Sequence, residues 1–91
     1  MRKFIIEREL PKIGSAEREQ LKAAATKSNE ALAQLAPHVQ WIESYVADDK
    51  TFCVYLADNE AAIRRHAEIS GFPANRITEI RRTIDPTTAN G

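Results

Sequence analysis

One cysteine, one tryptophan and three glycines are all that 91 residues contain of these types, and each scarcity removes a class of protein. A single thiol, Cys53, excludes an intramolecular disulfide and any Cys-x-x-Cys metal knuckle. An unpaired thiol is also a liability in an oxidising compartment, so a cytoplasmic location is expected. Thirteen basic residues balance thirteen acidic ones, and no net field steers the chain onto nucleic acid or an anionic membrane. Arg64, Arg65, Arg81 and Arg82 are interspersed with acids and leave no nucleic-acid footprint. The N-terminus meets Glu7 after only Phe4, Ile5 and Ile6, which is not the apolar core of a signal peptide. No later run reaches membrane-spanning length.

What is present is a succession of short periodic segments. Residues 2 to 9 alternate around Phe4 and Ile6 and predict a strand. Pro11 and Gly14 break it, and Ser15, Glu17 and Glu19 then open a helix whose stripe is Leu21, Ala24, Ala25, Ser28, Leu32 and Leu35, ended by Pro37. Two strands follow, at 39 to 47 and 51 to 57, divided by the polar turn Asp48-Asp49-Lys50. Asp58 is the expected cap of a second helix that carries Ala62, Ile63, His66, Ala67 and Ser70 on one face and stops at Gly71. Glu60, Arg64 and Glu68 form an i, i+4 ladder on a solvated face. Ile77, Ile80 and Ile84 indicate a last strand. Residues 1–86 make one domain, and 87–91 a flexible tail.

The order β-α-β-β-α-β predicts an α+β, ferredoxin-like fold, a four-stranded antiparallel sheet with two helices on one face. Strand alternation then sorts side chains between the helix-covered face and the open one. Phe4, Ile6, Ile42, Ser44, Val46, Phe52, Val54, Leu56, Ile80 and Ile84 are expected under the helices. Ile5, Glu7, Trp41, Glu43, Tyr45, Cys53, Tyr55, Ile77, Glu79 and Arg81 are expected on the open side. A three-residue hairpin loop places Tyr45 opposite Cys53 and Glu43 opposite Tyr55. That mosaic of apolar area and ionisable groups is too large to leave bare, so a homodimer through the open face, enclosing a small cavity, is expected.

The words from Gln40 to Tyr55, Glu60-Ala-Ala-Ile-Arg64, Gly71-Phe-Pro-Ala-Asn-Arg-Ile77 and Ile84-Asp-Pro86 carry a resemblance. Together they resemble a family of small bacterial proteins, defined as a domain of unknown function, that includes a nickel-binding protein from an actinomycete. The resemblance covers nearly the whole chain and implies a dimeric α/β barrel. Many members carry His at the position of Glu43, in a His-Ser-Tyr-Val run. Only Ser44, Tyr45, Val46 and Cys53 of this chain match that pattern as they stand. A carboxylate is a harder ligand than imidazole, so the replacement weighs against direct transfer of nickel binding.

Three readings follow. The first is a metal-binding protein, with nickel or another divalent transition metal held by Glu43, Tyr45, Cys53 and Glu7, and Trp41, Tyr55, Glu79 and Arg81 lining the pocket or interface. The second is a cofactor-free enzyme or ligand-binding protein of the dimeric α/β-barrel type, with Glu43 or Glu7 as base and Tyr45 and Tyr55 orienting a small molecule. The third is a non-catalytic dimerisation module. Against the sharp readings stand bland ones. Cys53 is more often a small buried hydrophobe, and His66 more often a histidine packed and hydrogen-bonded under the sheet; His38 reads as a solvated loop residue, and the three glutamates are as readily partners for Arg81 or for a second subunit.

Overall fold

Phe4, Ile6 and Arg8 recur every second residue along β1 (Arg2–Glu9) and are all buried. In the computed structural model, which describes all 91 residues, β1 is one of the two central strands of a four-stranded antiparallel sheet. The strand order is β2-β3-β1-β4, with β2 at Val39–Val46, β3 at Lys50–Ala57 and β4 at Arg76–Ile80. Helices α1 (Arg18–Leu35) and α2 (Glu60–Ser70) lie together on one side. The architecture is the expected ferredoxin-like one, and no helix is long and apolar enough to cross a membrane.

Local chemistry accounts for the ends of the helices. Glu17, not Ser15, is the first cap. Its backbone N–H donates to Gln20 Oε1 at 2.8 Å, while Ser15 lies in a preceding 3-10 turn, Ile13–Ser15. Asn59, not Asp58, caps α2 and accepts from the Ala62 N–H at 2.9 Å, an arrangement worth about 1 kcal/mol. Gly71 ends α2 in the left-handed conformation, at φ 78°. Strand β4 stops at Ile80, so Ile84 is not a core residue but is 77% exposed. Pro86–Asn90 forms an exposed 3-10 turn capped by Asp85.

The core sits between the helices and one face of the sheet. Phe4, Ile6, Val39, Cys53, Tyr55, Ala57 and Ile63 form it, with His66 and Ser70 fully enclosed beside them. Each large apolar side chain so buried contributes roughly 1.5–3 kcal/mol.

Register corrects the expected assignment of faces. Residues directly opposite in an antiparallel pair share a face. Ile6 pairs with Cys53 and Phe4 with Tyr55, so Cys53 and Tyr55 lie under the helices, and Phe52, Val54 and Leu56 take the open side. Phe4 and Ile6 also face Glu79 and Ile77, which brings both to the helix side and leaves Ile80 on the other. On β2 a bulge at Ile42 reverses the alternation. Trp41 pairs with Tyr55 before it, and Glu43 with Val54 after it. Trp41 is therefore on the helix side, while Glu43 and Tyr45 keep the open side as expected. The hairpin is also one residue tighter than expected, because Ala47 N–H donates to the Lys50 carbonyl and Tyr45 pairs with Phe52.

Candidate functional site

The eight residues expected to make one site are divided among three places. Glu7, Glu43 and Tyr45 lie on the open face. The Tyr45 hydroxyl donates to the Glu43 carboxylate, and this bond to an anion raises the Tyr45 pKa. Glu7 lies two strands away, with Phe52 between it and Tyr45 in the cross-strand row, and its carboxylate is 3.6 Å from Lys50 Nζ. Trp41, Cys53 and Tyr55 are on the opposite side of the sheet. Glu79 and Arg81 form an ion-pair cluster at the β4 edge. Glu79 is met by Arg2 at 2.6 Å and by Arg81 at 3.3 Å, and the bond from Arg2 holds the Glu79 carboxyl below its usual range.

This division decides the fit to a metal. No three His, Cys, Asp or Glu side chains converge anywhere in the chain. Cys53 is buried with its sulfur 3.5 Å from Thr51 Oγ1 and cannot share an ion with Glu43 through the sheet. His38 and Asp58 make an exposed pair, Nδ1 to Oδ2 at 2.6 Å, without a third donor. The donors present in one chain therefore do not fit a nickel centre, which favours several nitrogen or sulfur ligands.

The structure instead brings Trp41, Cys53 and Tyr55 together around a cavity of about 230 Å³ between α1 and the sheet. The space exists because α1 presents Ala24 and Ala25 there, side chains too short to reach the strands. Leu21 and Val46 also line it, and they remain 37% and 47% exposed, which puts the mouth between them. Leu10 and Ile13 of the segment after β1 and Phe72 of the segment after α2 close other parts of the wall. The Trp41 indole N–H is satisfied by Ser44 Oγ at 2.9 Å, across the bulge.

Arg8 sits at the deep side of this cavity and is 3% exposed. Its Nη1 donates to the Pro73 carbonyl at 2.7 Å, and its guanidinium lies 5.9 Å from the ring centres of both Tyr55 and Phe72. Nη2 is buried and has no partner. Behind Arg8 runs a polar chain. Tyr55 Oη is 3.4 Å from Ser28 Oγ, which is 3.1 Å from His66 Nε2. Burial raises the Tyr55 pKa, and burial together with the Arg8 charge lowers that of His66 to about 4. His66 is the packed, hydrogen-bonded histidine expected from its helical stripe.

Arg8 is not among the candidate residues above, although the sequence carries a signal for it. Counting by two from Phe4 and Ile6 lands a charged residue on the core row of a central strand. The cavity also lies within one chain, on the helix side, and not against the open face.

The sequence profile of the family described as "Nickel responsive protein SCO4226-like" matches residues 4–80, from the first core residue of β1 to the end of β4. Among solved structures, the crystal structure of SCO4226 from Streptomyces coelicolor A3(2) is similar to this chain with a TM-score of 0.76 and 18% identity. The likeness covers 90% of this chain and 99% of that one, and at such identity it establishes the fold. No match is found among curated proteins.

Proposed function

This chain belongs to the SCO4226-like family of nickel responsive proteins, and from that premise we propose that it is a ligand-binding protein whose small-molecule ligand occupies the cavity between α1 and the sheet. The observation that carries this reading is a mainly apolar cavity whose one charged lining residue, Arg8, is buried and takes part in no ion pair. A buried polar group is normally satisfied, and a buried charge without a counter-charge is more costly still. A ligand supplies what the fold leaves out.

Binding fits the polar chain better than catalysis does. Ser28 and His66 are adjacent, but a base with a pKa of about 4, beside a fixed cation, is poorly matched to taking a proton near neutrality. No carboxylate is bonded to the other imidazole nitrogen, Nδ1, to steady an imidazolium. The test is a binding screen followed by the single tryptophan, Trp41, which lines the cavity. Compounds of roughly ten non-hydrogen atoms, sized by comparison with about 30 Å³ per water, should alter its fluorescence saturably in the wild type and not in Ala25→Phe. A screen in which no compound does so removes the reading.

The Glu43–Tyr45 contact favours a second reading, in which two chains pair through their open faces and share a metal ion. Each would contribute a carboxylate and a phenol, an all-oxygen donor set that suits a harder divalent cation, so nickel, which the family description names, would be held weakly. Calorimetric titration with nickel, run beside sedimentation, tests it. Glu43→Ala should weaken binding and Cys53→Ala should leave it intact. Equal binding by Glu43→Ala and wild type would put any site elsewhere.

A further inference from the structure

We propose that the ligand is a small monocarboxylate, bound with its carboxylate on Arg8 and its apolar body along Ala24, Ala25 and Trp41. The proposal rests on the ligand-binding reading above and adds the charge, size and orientation of the ligand.

The charge follows from the wall. Arg8 is the one charged residue lining the cavity, and it takes part in none of the chain's ion pairs. Its sequence neighbours Glu7 and Glu9 alternate to the other face of the strand, and Glu7 is paired with Lys50. A single guanidinium without a counter-charge balances one negative charge. A phosphate monoester would bring a second charge, and the cavity has no other cation to meet it. Ser28, Thr51 and Tyr55 add hydroxyl groups to the same wall, which suit the remaining carboxylate lone pairs.

The size and orientation follow from the volume and the exposure pattern. About 230 Å³ equals roughly eight waters at about 30 Å³ each, or an organic acid of about ten non-hydrogen atoms. The mouth lies at Leu21 and Val46, and Arg8 is nearly sealed, so the acid enters carboxylate first. The remaining lining is mainly apolar and accepts an aryl ring or a medium alkyl chain, not a sugar.

The experiment titrates the protein with octanoate and benzoate, their amides, and octyl phosphate, reading Trp41 fluorescence. The acids should bind at least tenfold more tightly than the amides. Arg8→Met should remove that preference, and Ala25→Leu should weaken acids and amides together. Amides that bind as well as acids overturn the carboxylate assignment while the ligand-binding reading stands. Octyl phosphate binding more tightly than octanoate overturns it too. Acid binding that persists unchanged in Ala25→Leu places the contact outside the cavity. If no probe binds, the carboxylate assignment falls, and the ligand-binding reading stands or falls with the wider screen. The acid-to-amide ratio needs only wild-type protein, so the proposal stays testable should Arg8→Met fail to fold.

Discussion

Ser28 on α1 and His66 on α2 meet through a buried contact of 3.1 Å between Oγ and Nε2, and this contact ties the two helices to each other above the sheet. Tyr55 joins from β3, with its ring centre 5.0 Å from that of His66 and its hydroxyl 3.4 Å from Ser28. The polar cluster spans three elements at the inner end of the cavity. Its one basic member is held neutral by burial and by the charge of Arg8.

That neutrality makes stability depend on pH. The folded pKa of His66 is about 4 against 6.5 for the free side chain, so the unfolded chain binds the extra proton first. Stability is therefore fully present above pH 6.5, falls as the pH drops from 6.5 towards 4, and stops changing on this account below 4. At 1.36 kcal/mol per pH unit, crossing the whole window costs on the order of 3 kcal/mol. Urea denaturation at pH 7 and pH 5 should show much of this loss in the wild type. His66→Leu should flatten the difference between the two pH values whatever it does to absolute stability. An unchanged slope in the variant would mean that another group titrates there.

Gly14 bears on the cavity from its other side. It belongs to the 3-10 turn beside Ile13 and lies against the β2–β3 turn, donating its N–H to the Asp48 carbonyl at 2.9 Å. A Cβ at Gly14 would fall 2.7 Å from the Ala47 carbonyl oxygen and 2.8 Å from Asp48 Cα, both backbone atoms that cannot swing aside. Gly14→Ala should cost about 1–3 kcal/mol, as overpacked sites do, and should also weaken the octanoate affinity, because Leu10 and Ile13 would shift with the turn. Gly71→Ala is the comparison. Gly71 has a positive φ but nothing nearer to its Cβ position than Lys27 Nζ at 3.5 Å, so it should cost about 1 kcal/mol and leave affinity alone. Denaturation midpoints and the octanoate titration read both effects.

The element order, the stripe of α2 and the packing of His66 were legible because each rests on local periodicity. The faces of β2 and β3 were not. Strand β3 offers two apolar rows, Cys53 with Tyr55 and Phe52 with Val54 and Leu56, and alternation by itself does not say which one the helices cover. Pairing with Phe4 and Ile6 decides it, and that is a contact between strands almost fifty residues apart. On β2 the extra residue at Ile42 breaks the period without a glycine or proline to mark it. The candidate site inherited both errors. Its metal set crosses the sheet, and Arg8, which carries the strongest chemical signal, is hard to single out because charge is seldom expected on a core row.

Cys53 offers a kinetic check of the face assignment. Its side chain is buried at 5% exposure on the helix side, against Thr51 and the cavity. Reaction with a bulky thiol reagent should be at least a hundredfold slower in the native protein than in urea, and should follow the rate of opening and not the reagent concentration at high reagent. A small alkylating agent that can enter the cavity should be slowed further by octanoate. Fast, second-order labelling of native protein would put the thiol on the open face.

Arg8→Met should tell how far the unliganded fold is strained by the missing partner. Removing the guanidinium loses its hydrogen bond to the Pro73 carbonyl, a contact of about 1.5–3 kcal/mol for a charged donor. It also removes a buried charge with no counter-ion, whose desolvation typically costs several kcal/mol. Methionine keeps the apolar stem but loses the guanidinium's approach to the Tyr55 and Phe72 rings. The lost contacts and the relieved desolvation oppose each other and are of similar size. The variant should therefore lie within about 2 kcal/mol of the wild type in denaturant titration without ligand. With saturating octanoate the wild type should gain stability and the variant should not, because ligand binding stabilises only the chain that can hold it. A variant several kcal/mol less stable in the absence of ligand would mean that the fold already satisfies Arg8, and the acid-to-amide ratio of the wild type would then carry the carboxylate assignment alone.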